Sequence, residues 1–358
     1  MEKIPFSEDE LTVVKEVKSA LRGSVRTYKT PITNRENFRH CFTDKCPLWV
    51  LPARGTSADI TPKCVPDNVA RGFVHSAEGF DNAANGGGPD MFGIEWVYVP
   101  QVGGSMVKPG NPTLEDANDW RDVIKEPDID SWDWEGSAKA NAEYIGGDAW
   151  ATFTILNGAW MERLISFMDF EGAAMALIDE DQTEAVRELF DMTTNTLMKI
   201  VDKVAEYFPR IDAIMVHDDW GSQKDPFFSE DIAYDLFVPS MRKLTDYIRS
   251  KGFVAMLHSC GHTESRVKCY IDAGWQSWTP QPMNDTKKLY DEYGDQILIS
   301  VIVNLPEGLS EEEQIKAADE YVDKYFAPGK PSLISYDTKN EAFERELYRA
   351  SRLKMLNA

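Results

Sequence analysis

Histidine, cysteine and positive charge are all scarce in this 358-residue sequence. Lysine and arginine number 38 against 60 aspartates and glutamates, for a formal net charge of -22. Such a surface repels phosphate backbones and argues against nucleic-acid binding. No run of eighteen apolar residues is present, so no membrane span is expected. The opening stretch Met1-Glu2-Lys3-Ile4-Pro5-Phe6-Ser7-Glu8-Asp9 lacks the apolar core of a signal peptide. The five cysteines (Cys41, Cys46, Cys64, Cys260, Cys269) form an odd set, which points to a reducing cytoplasm rather than a disulfide framework. Repeats and low-complexity stretches are absent. Gly86-Gly87-Gly88 is not followed by Gly-Lys-Ser/Thr, so it reads as a plain loop rather than a phosphate cradle.

What is present is an apolar fraction of 42%, ample for a large core. Short β-rich runs alternate with long amphipathic ones, the pattern of an α/β fold with a parallel sheet. Eight strands are expected, at Leu48–Leu51, Gly72–His75, Trp150–Leu156, Ala213–His217, Phe253–His258, Trp275–Trp278, Ile297–Val303 and Ser332–Tyr336. Eight is the number of a (β/α)8 TIM barrel, here a single domain over 1–358 with an N-terminal extension. Helix starts are expected at Ser310-Glu311-Glu312-Glu313 and Asp181–Glu184, both capping patterns, and at Ser229, with a break or kink at Pro239. The segment 79–134 is rich in Gly, Pro, Asp and Trp. It is expected to be a lid-like excursion over the barrel mouth, with a small hairpin near Ile94–Val99.

Apolar strands run into reactive groups. Ala213–Val216 leads into His217-Asp218-Asp219-Trp220-Gly221-Ser222-Gln223, and Phe253–Leu257 into His258-Ser259-Cys260-Gly261-His262. Trp275–Trp278 leads into Thr279-Pro280-Gln281, and Ser332–Ser335 into Tyr336-Asp337-Thr338-Lys339-Asn340. In a barrel these C-terminal strand ends meet at one mouth, where polar residues tend to be catalytic. His258 and Cys260 stand two apart on an extended chain and point the same way, as metal ligands would. The alternative is a hydrogen-bonded histidine beside an inert thiol. Asp218 and Asp219 are candidate acids, bases or ligands, or a cap for the next turn. Trp220 and Trp278 offer faces for an aromatic substrate, or core packing. Gln223, Gln281 and Tyr336 complete the expected substrate lining.

These motifs resemble the uroporphyrinogen decarboxylase superfamily. The likeness is carried by Asp218-Asp219-Trp220-Gly221-Ser222-Gln223 and His258-Ser259-Cys260-Gly261. It extends to Thr33-Asn34-Arg35-Glu36-Asn37, Pro47-Leu48-Trp49-Val50, Asp90–Trp96, Pro127–Asp130 and Glu162-Arg163-Leu164. It implies a (β/α)8 barrel with its pocket at the C-terminal strand ends. Decarboxylases of that superfamily carry an arginine-rich stretch after the first strand, where this sequence reads Leu51-Pro52-Ala53-Arg54-Gly55-Thr56. The cobalamin-dependent methyltransferase branch fits better. It moves a methyl group between a small molecule and a corrinoid carried by a partner protein, and many members hold zinc through His-x-Cys and a later cysteine. His258 and Cys260 match the first pair, but Ser332–Asn340 contains no cysteine. The third ligand is left to Asp337, Asp218, Asp219 or Cys269, or the metal is missing.

The resulting expectation is an O-demethylase that passes a methyl group from a methoxylated, aromatic donor to a corrinoid protein. Asp218 or Asp219, with His217 or His258, protonates or polarises the leaving oxygen, with zinc as Lewis acid if bound. Rivals are a decarboxylase-like lyase on a carboxylated substrate and a non-catalytic barrel that binds a corrinoid protein. A homodimer is compatible with the sequence.

Overall fold

The computed structural model describes residues 4–19, 23–53, 56–101, 103–336 and 339–358. Eight strands make up the main sheet: β1 (Leu51–Pro52), β2 (Ser57–Ile60), β3 (Trp150–Ile155), β4 (Ala213–His217), β5 (Val254–His258), β6 (Ser277–Thr279), β7 (Leu298–Ile302) and β8 (Leu333–Ser335). The long helices are α1 (Met161–Ala176), α2 (Thr183–Tyr207), α3 (Val238–Ser250), α4 (Glu311–Tyr325) and α5 (Glu341–Asn357). The chain is an α/β protein of the (β/α)8 class. It divides into two compact units, 1–58 with 148–150 and 285–358, and 59–147 with 151–284.

In the first unit the strand order is β1-β8-β7, with parallel pairing. Val301 and Ile334 point into a cluster with Tyr321, Val322 and Phe326, and with Phe343 and Leu347 of α5. Each such side chain contributes about 1.5–3 kcal/mol by leaving water. The capping box at Ser310 and Glu313 forms as expected and opens α4. The N-terminal extension is an antiparallel pair, Val13–Ser19 with Gly23–Tyr28. Arg26 reaches Glu344 at 2.9 Å, and Arg352 holds Glu10, so α5 anchors this segment at both ends.

In the second unit the order is β6-β5-β4-β3-β2. β3 is buried along its whole length, and β4 is apolar until its last residue. Register decides what gathers at the strand ends. His217 of β4 pairs with His258 of β5, and His258 with Thr279 of β6. Three chemically useful residues therefore lie side by side in one row.

Three local expectations need correction. The second strand is Ser57–Ile60, not Gly72–His75; His75 makes only a single antiparallel bridge with Thr61. α2 starts at Thr183 after Gln182, which makes no side-chain cap, so the capping pattern at Asp181–Glu184 does not form. The interruption near Pro239 precedes it. Ser229 caps a short helix as expected, a π-helical segment covers Ala233–Phe237, and Pro239 occupies the first turn of α3, where its missing N–H costs nothing.

The excursion between β2 and β3 is longer than 79–134 and more structured. Its centre is a three-stranded antiparallel sheet of Gly87–Pro89, Glu95–Val99 and Gly104–Val107. Gly86 packs here against backbone: a side chain at that position would meet the Asn82 carbonyl at 2.5 Å and the Gly72 Cα at 2.7 Å. Gly86 thus serves close packing, while Gly88, with φ +84 and nothing within 4 Å, serves the backbone conformation.

Candidate metal centre

The second unit assembles the centre from two adjacent strand ends and the turns that follow them. β4 and β5 deliver His217 and His258 by register, and the turns that follow bring Asp219 and Cys260 back beside them. The turn geometry depends on two glycines in contact. Gly261 has φ +93, and a Cβ there would lie 2.1 Å from the Gly221 carbonyl oxygen. The Asp219 carboxylate accepts the Cys260 N–H at 2.7 Å, which clamps one turn to the other.

Each of the four residues then offers one ligand atom, all within 4.8 Å of one another. His258 Nε2 stands 3.3 Å from Cys260 Sγ, and His217 Nε2 stands 3.8 Å from the same sulfur. His217 Nε2 is 3.5 Å from Asp219 Oδ1. For zinc–ligand bonds of about 2.0–2.3 Å, the edges of a tetrahedron measure roughly 3.3–3.8 Å. Three of the six donor separations therefore already match those of a tetrahedral ion, within a set that spans no more than 4.8 Å. Two imidazoles, a thiolate and a carboxylate also suit zinc chemically.

Hydrogen bonds on the far side of each ring point the same way. The Thr279 carbonyl can only accept, so at 2.9 Å it requires a proton on His258 Nδ1. That leaves His258 Nε2 with a lone pair facing Cys260. His217 Nδ1 lies 2.7 Å from Glu162 Oε2, again leaving Nε2 toward the cluster. Glu162 is in turn held by Arg71, Nη1 to Oε1 at 2.8 Å. Burial alone would lower the His217 pKa, but Glu162, Asp219 and Cys260 outweigh it and push the ring well above its usual range. Burial raises the Cys260 thiol, with the His217 ring pulling the other way. A metal bound at His217 Nε2 would take the place of a proton there.

Asp218 occupies a different position from Asp219. It is fully buried, and its carboxylate accepts Trp220 Nε1 at 2.8 Å and the backbone N–H groups of Met161 and Glu162 at 3.2 Å each. α1 has no side-chain cap of its own at Trp160. Asp218 supplies the missing acceptor from another strand end, at the helix terminus that favours negative charge. Burial first, then Glu162, raise its pKa to about 8 against those three donors. Gly158 makes room for it, since a Cβ there would lie 2.4 Å from Asp218 Oδ1.

The other expected site residues are dispersed. Trp220 is fully buried among Phe228, Phe237 and Tyr270, and Trp278 is fully buried against Tyr270, so neither offers a free face. Gln281 accepts the Gly261 N–H at 2.8 Å and braces the His258–Gly261 turn. Gln223 is exposed on the turn after β4. Tyr336 belongs to the first unit, where its ring packs on Phe343. Cys269 is buried in a helix and is not in the ligand cluster. Asp337 and Arg54 lie outside the described residues.

Residues with no site role in the sequence reading complete the surroundings. Arg163, next to Glu162 on α1, is 1% exposed and pairs with Asp67 and Asp90 of the excursion, the latter at 2.9 Å. Asp90 also accepts Trp96 Nε1 and the N–H groups of Phe92 and Ile94. This buried ion cluster fixes the excursion to the helix that carries Glu162. Their only sequence signal was membership of Asp90–Trp96 and Glu162-Arg163-Leu164, two segments of the family likeness; Arg71 and Asp67 had none.

No family model matches this chain, and no curated protein does either. Among solved structures it is similar to a methyltransferase from Methanosarcina mazei, at a TM-score of 0.57 and 15% identity over 90% of this chain and 98% of that one. The shared feature is the fold. Xylanase B from Clostridium stercorarium F9 overlaps 57% of this chain at a TM-score of 0.33, and a D-psicose 3-epimerase 63% at 0.32; neither bears on function. No helix among the described residues is long and apolar enough to cross a membrane.

Proposed function

We propose that this chain is a methyltransferase that moves a methyl group from a small methoxylated donor to a corrinoid protein, using a zinc site at His217, Asp219, His258 and Cys260. The observation that carries this reading is the convergence of those four donor atoms within 4.8 Å at adjacent strand ends. The barrel's likeness to a methyltransferase is consistent with it.

Zinc held there would supply a Lewis acid for the oxygen that leaves when its methyl group is taken. The protein's own groups prepare the place. Glu162 and the Thr279 carbonyl hold the Nδ1 sides of the two histidines, so both rings present Nε2. Asp219, its side chain 27% exposed, is the ligand whose place on the ion we assign to the leaving oxygen, so that zinc keeps three protein ligands during the reaction. An aromatic ring on the donor rests on the family resemblance, because Trp220 and Trp278 are taken up in packing.

The test is a methyl-transfer assay with methoxylated aromatic donors and cob(I)alamin standing in for the corrinoid protein, followed by the spectrum of methyl-cobalamin. Turnover by the wild type that disappears in Cys260→Ser and His258→Ala supports the reading. Release of CO2 from carboxylated substrates without any corrinoid would instead make the chain a decarboxylase-like lyase.

A further inference from the structure

We infer that Arg71 and Glu162 form a positioning relay that sets the orientation of His217, and so ties the metal affinity of the site to the placement of the excursion. The inference rests on the zinc reading above, but concerns residues which that reading does not use as ligands.

The relay is continuous. Arg71 lies on the excursion, and its backbone carbonyl accepts the Ser105 N–H of the three-stranded sheet at 3.0 Å. Its guanidinium stands 5.2 Å over the Trp96 ring of the same sheet. From there it binds one oxygen of Glu162 at 2.8 Å, while the other oxygen of Glu162 lies 2.7 Å from His217 Nδ1. Glu162 is 8% exposed, so both its partners compete with little water. The Glu162 backbone is fixed independently, through Asp218 at the helix terminus. Its carboxylate therefore has one well-defined place and divides its two oxygens between the excursion and the site.

Chemistry gives this arrangement a direction. A histidine that donates Nδ1–H to a carboxylate presents a more basic Nε2 in a fixed plane, and loss of such a partner lowers metal affinity by about 10–100-fold. Arg71 hydrogen-bonds none of the four ligands; its charge also acts on Asp219 and Cys260 through space, but its hold on the orientation of His217 passes through Glu162. Removal of Arg71 lets the carboxylate rotate and weakens its hold on His217. The three-stranded sheet thereby acts on the metal without contributing a ligand.

The experiment is zinc affinity by competition with a chromophoric chelator, on the full chain, for wild type, Glu162→Gln, Glu162→Ala, Arg71→Met and the Arg71→Met/Glu162→Ala double variant. Circular dichroism accompanies each, and Glu162→Gln, of equal size, covers the case in which Glu162→Ala does not fold. The relay predicts a loss of about 10–100-fold for Glu162→Ala. It predicts a smaller loss for Glu162→Gln, whose amide oxygen still accepts, and a smaller loss for Arg71→Met. In the Glu162→Ala background, Arg71→Met should cause no further loss, because the influence left to Arg71 is a positive charge that opposes a bound cation. Equal affinity in wild type and folded Glu162 variants would overturn the relay while leaving the zinc site intact. A loss on Arg71→Met that persists without Glu162 would overturn the route. A wild type that binds no zinc would sink the functional reading itself.

Discussion

His217 and His258 are register partners on adjacent parallel strands, and their rings stack with centroids 4.8 Å apart at an interplanar angle of 27°. Two imidazolium rings would repel at that distance. The pair is stable with one ring neutral, or with both neutral around a shared cation. This relationship underlies the reading of the site, and it shapes the behaviour expected of the surrounding residues.

The two turns that carry the site depend on the absence of a side chain at Gly261. Gly261→Ala places a Cβ 2.1 Å from the Gly221 carbonyl oxygen at φ +93, so the backbone beside Cys260 must move. The left-handed conformation alone costs about 1–2 kcal/mol, and the collision adds to it. Gly252→Ala is the control: φ is +87, but nothing lies within 4 Å. Urea unfolding should show a loss of more than about 2 kcal/mol for Gly261→Ala and only about 1 kcal/mol for Gly252→Ala. Zinc affinity should fall in the first alone.

The ion cluster of Arg163, Asp67 and Asp90 holds the excursion to α1. Arg163→Met leaves two buried carboxylates without their cation, a change that costs about 3–5 kcal/mol. The guanidinium's contacts with both acids make lysine a poor substitute. Urea midpoints should fall for both variants, and further for methionine. Equal midpoints for wild type and Arg163→Met would show that the cluster contributes nothing to stability.

Sequence alone located six of the eight strands in the main sheet, because their apolar runs are set between amphipathic helices, and it met the first, Leu51–Pro52, only at Leu51. It misplaced the second, because Ser57–Ile60 has only one buried residue in its four and carries no alternating pattern. His258 and Cys260 were legible as a pair because a spacing of two is fixed by strand geometry. Asp219 was legible as one of four candidates for a further ligand, whereas His217 was legible as reactive but not as their partner, since pairing across strands depends on register. Glu162 and Arg71 belong to other elements altogether, 55 residues from His217 in the first case, and only tertiary packing brings them in. Trp220 and Trp278 show the opposite failure: large aromatics beside a site are often its floor rather than its lining.

A pH dependence is expected from the first unit. Glu10 is buried, and burial would raise its pKa. The hydrogen bonds from Arg352 and Tyr348 outweigh that, so the folded value lies below the ordinary 4.5. A depressed carboxylate adds stability that is complete above its unfolded pKa and disappears as pH falls through the folded one. Glu10→Gln should therefore lose about 1–3 kcal/mol at pH 7. Its stability should approach that of the wild type as the medium becomes more acidic than pH 4. A constant difference across that window would contradict the assignment.

The central claim is that His217, Asp219, His258 and Cys260 bind one metal ion. The most direct measurement is elemental analysis of the full-length protein after exposure to zinc and removal of the excess, beside Cys260→Ser and His258→Ala. The account predicts about one zinc per chain in the wild type and a marked loss in both variants. A wild type without zinc, or variants that retain it in full, would contradict it.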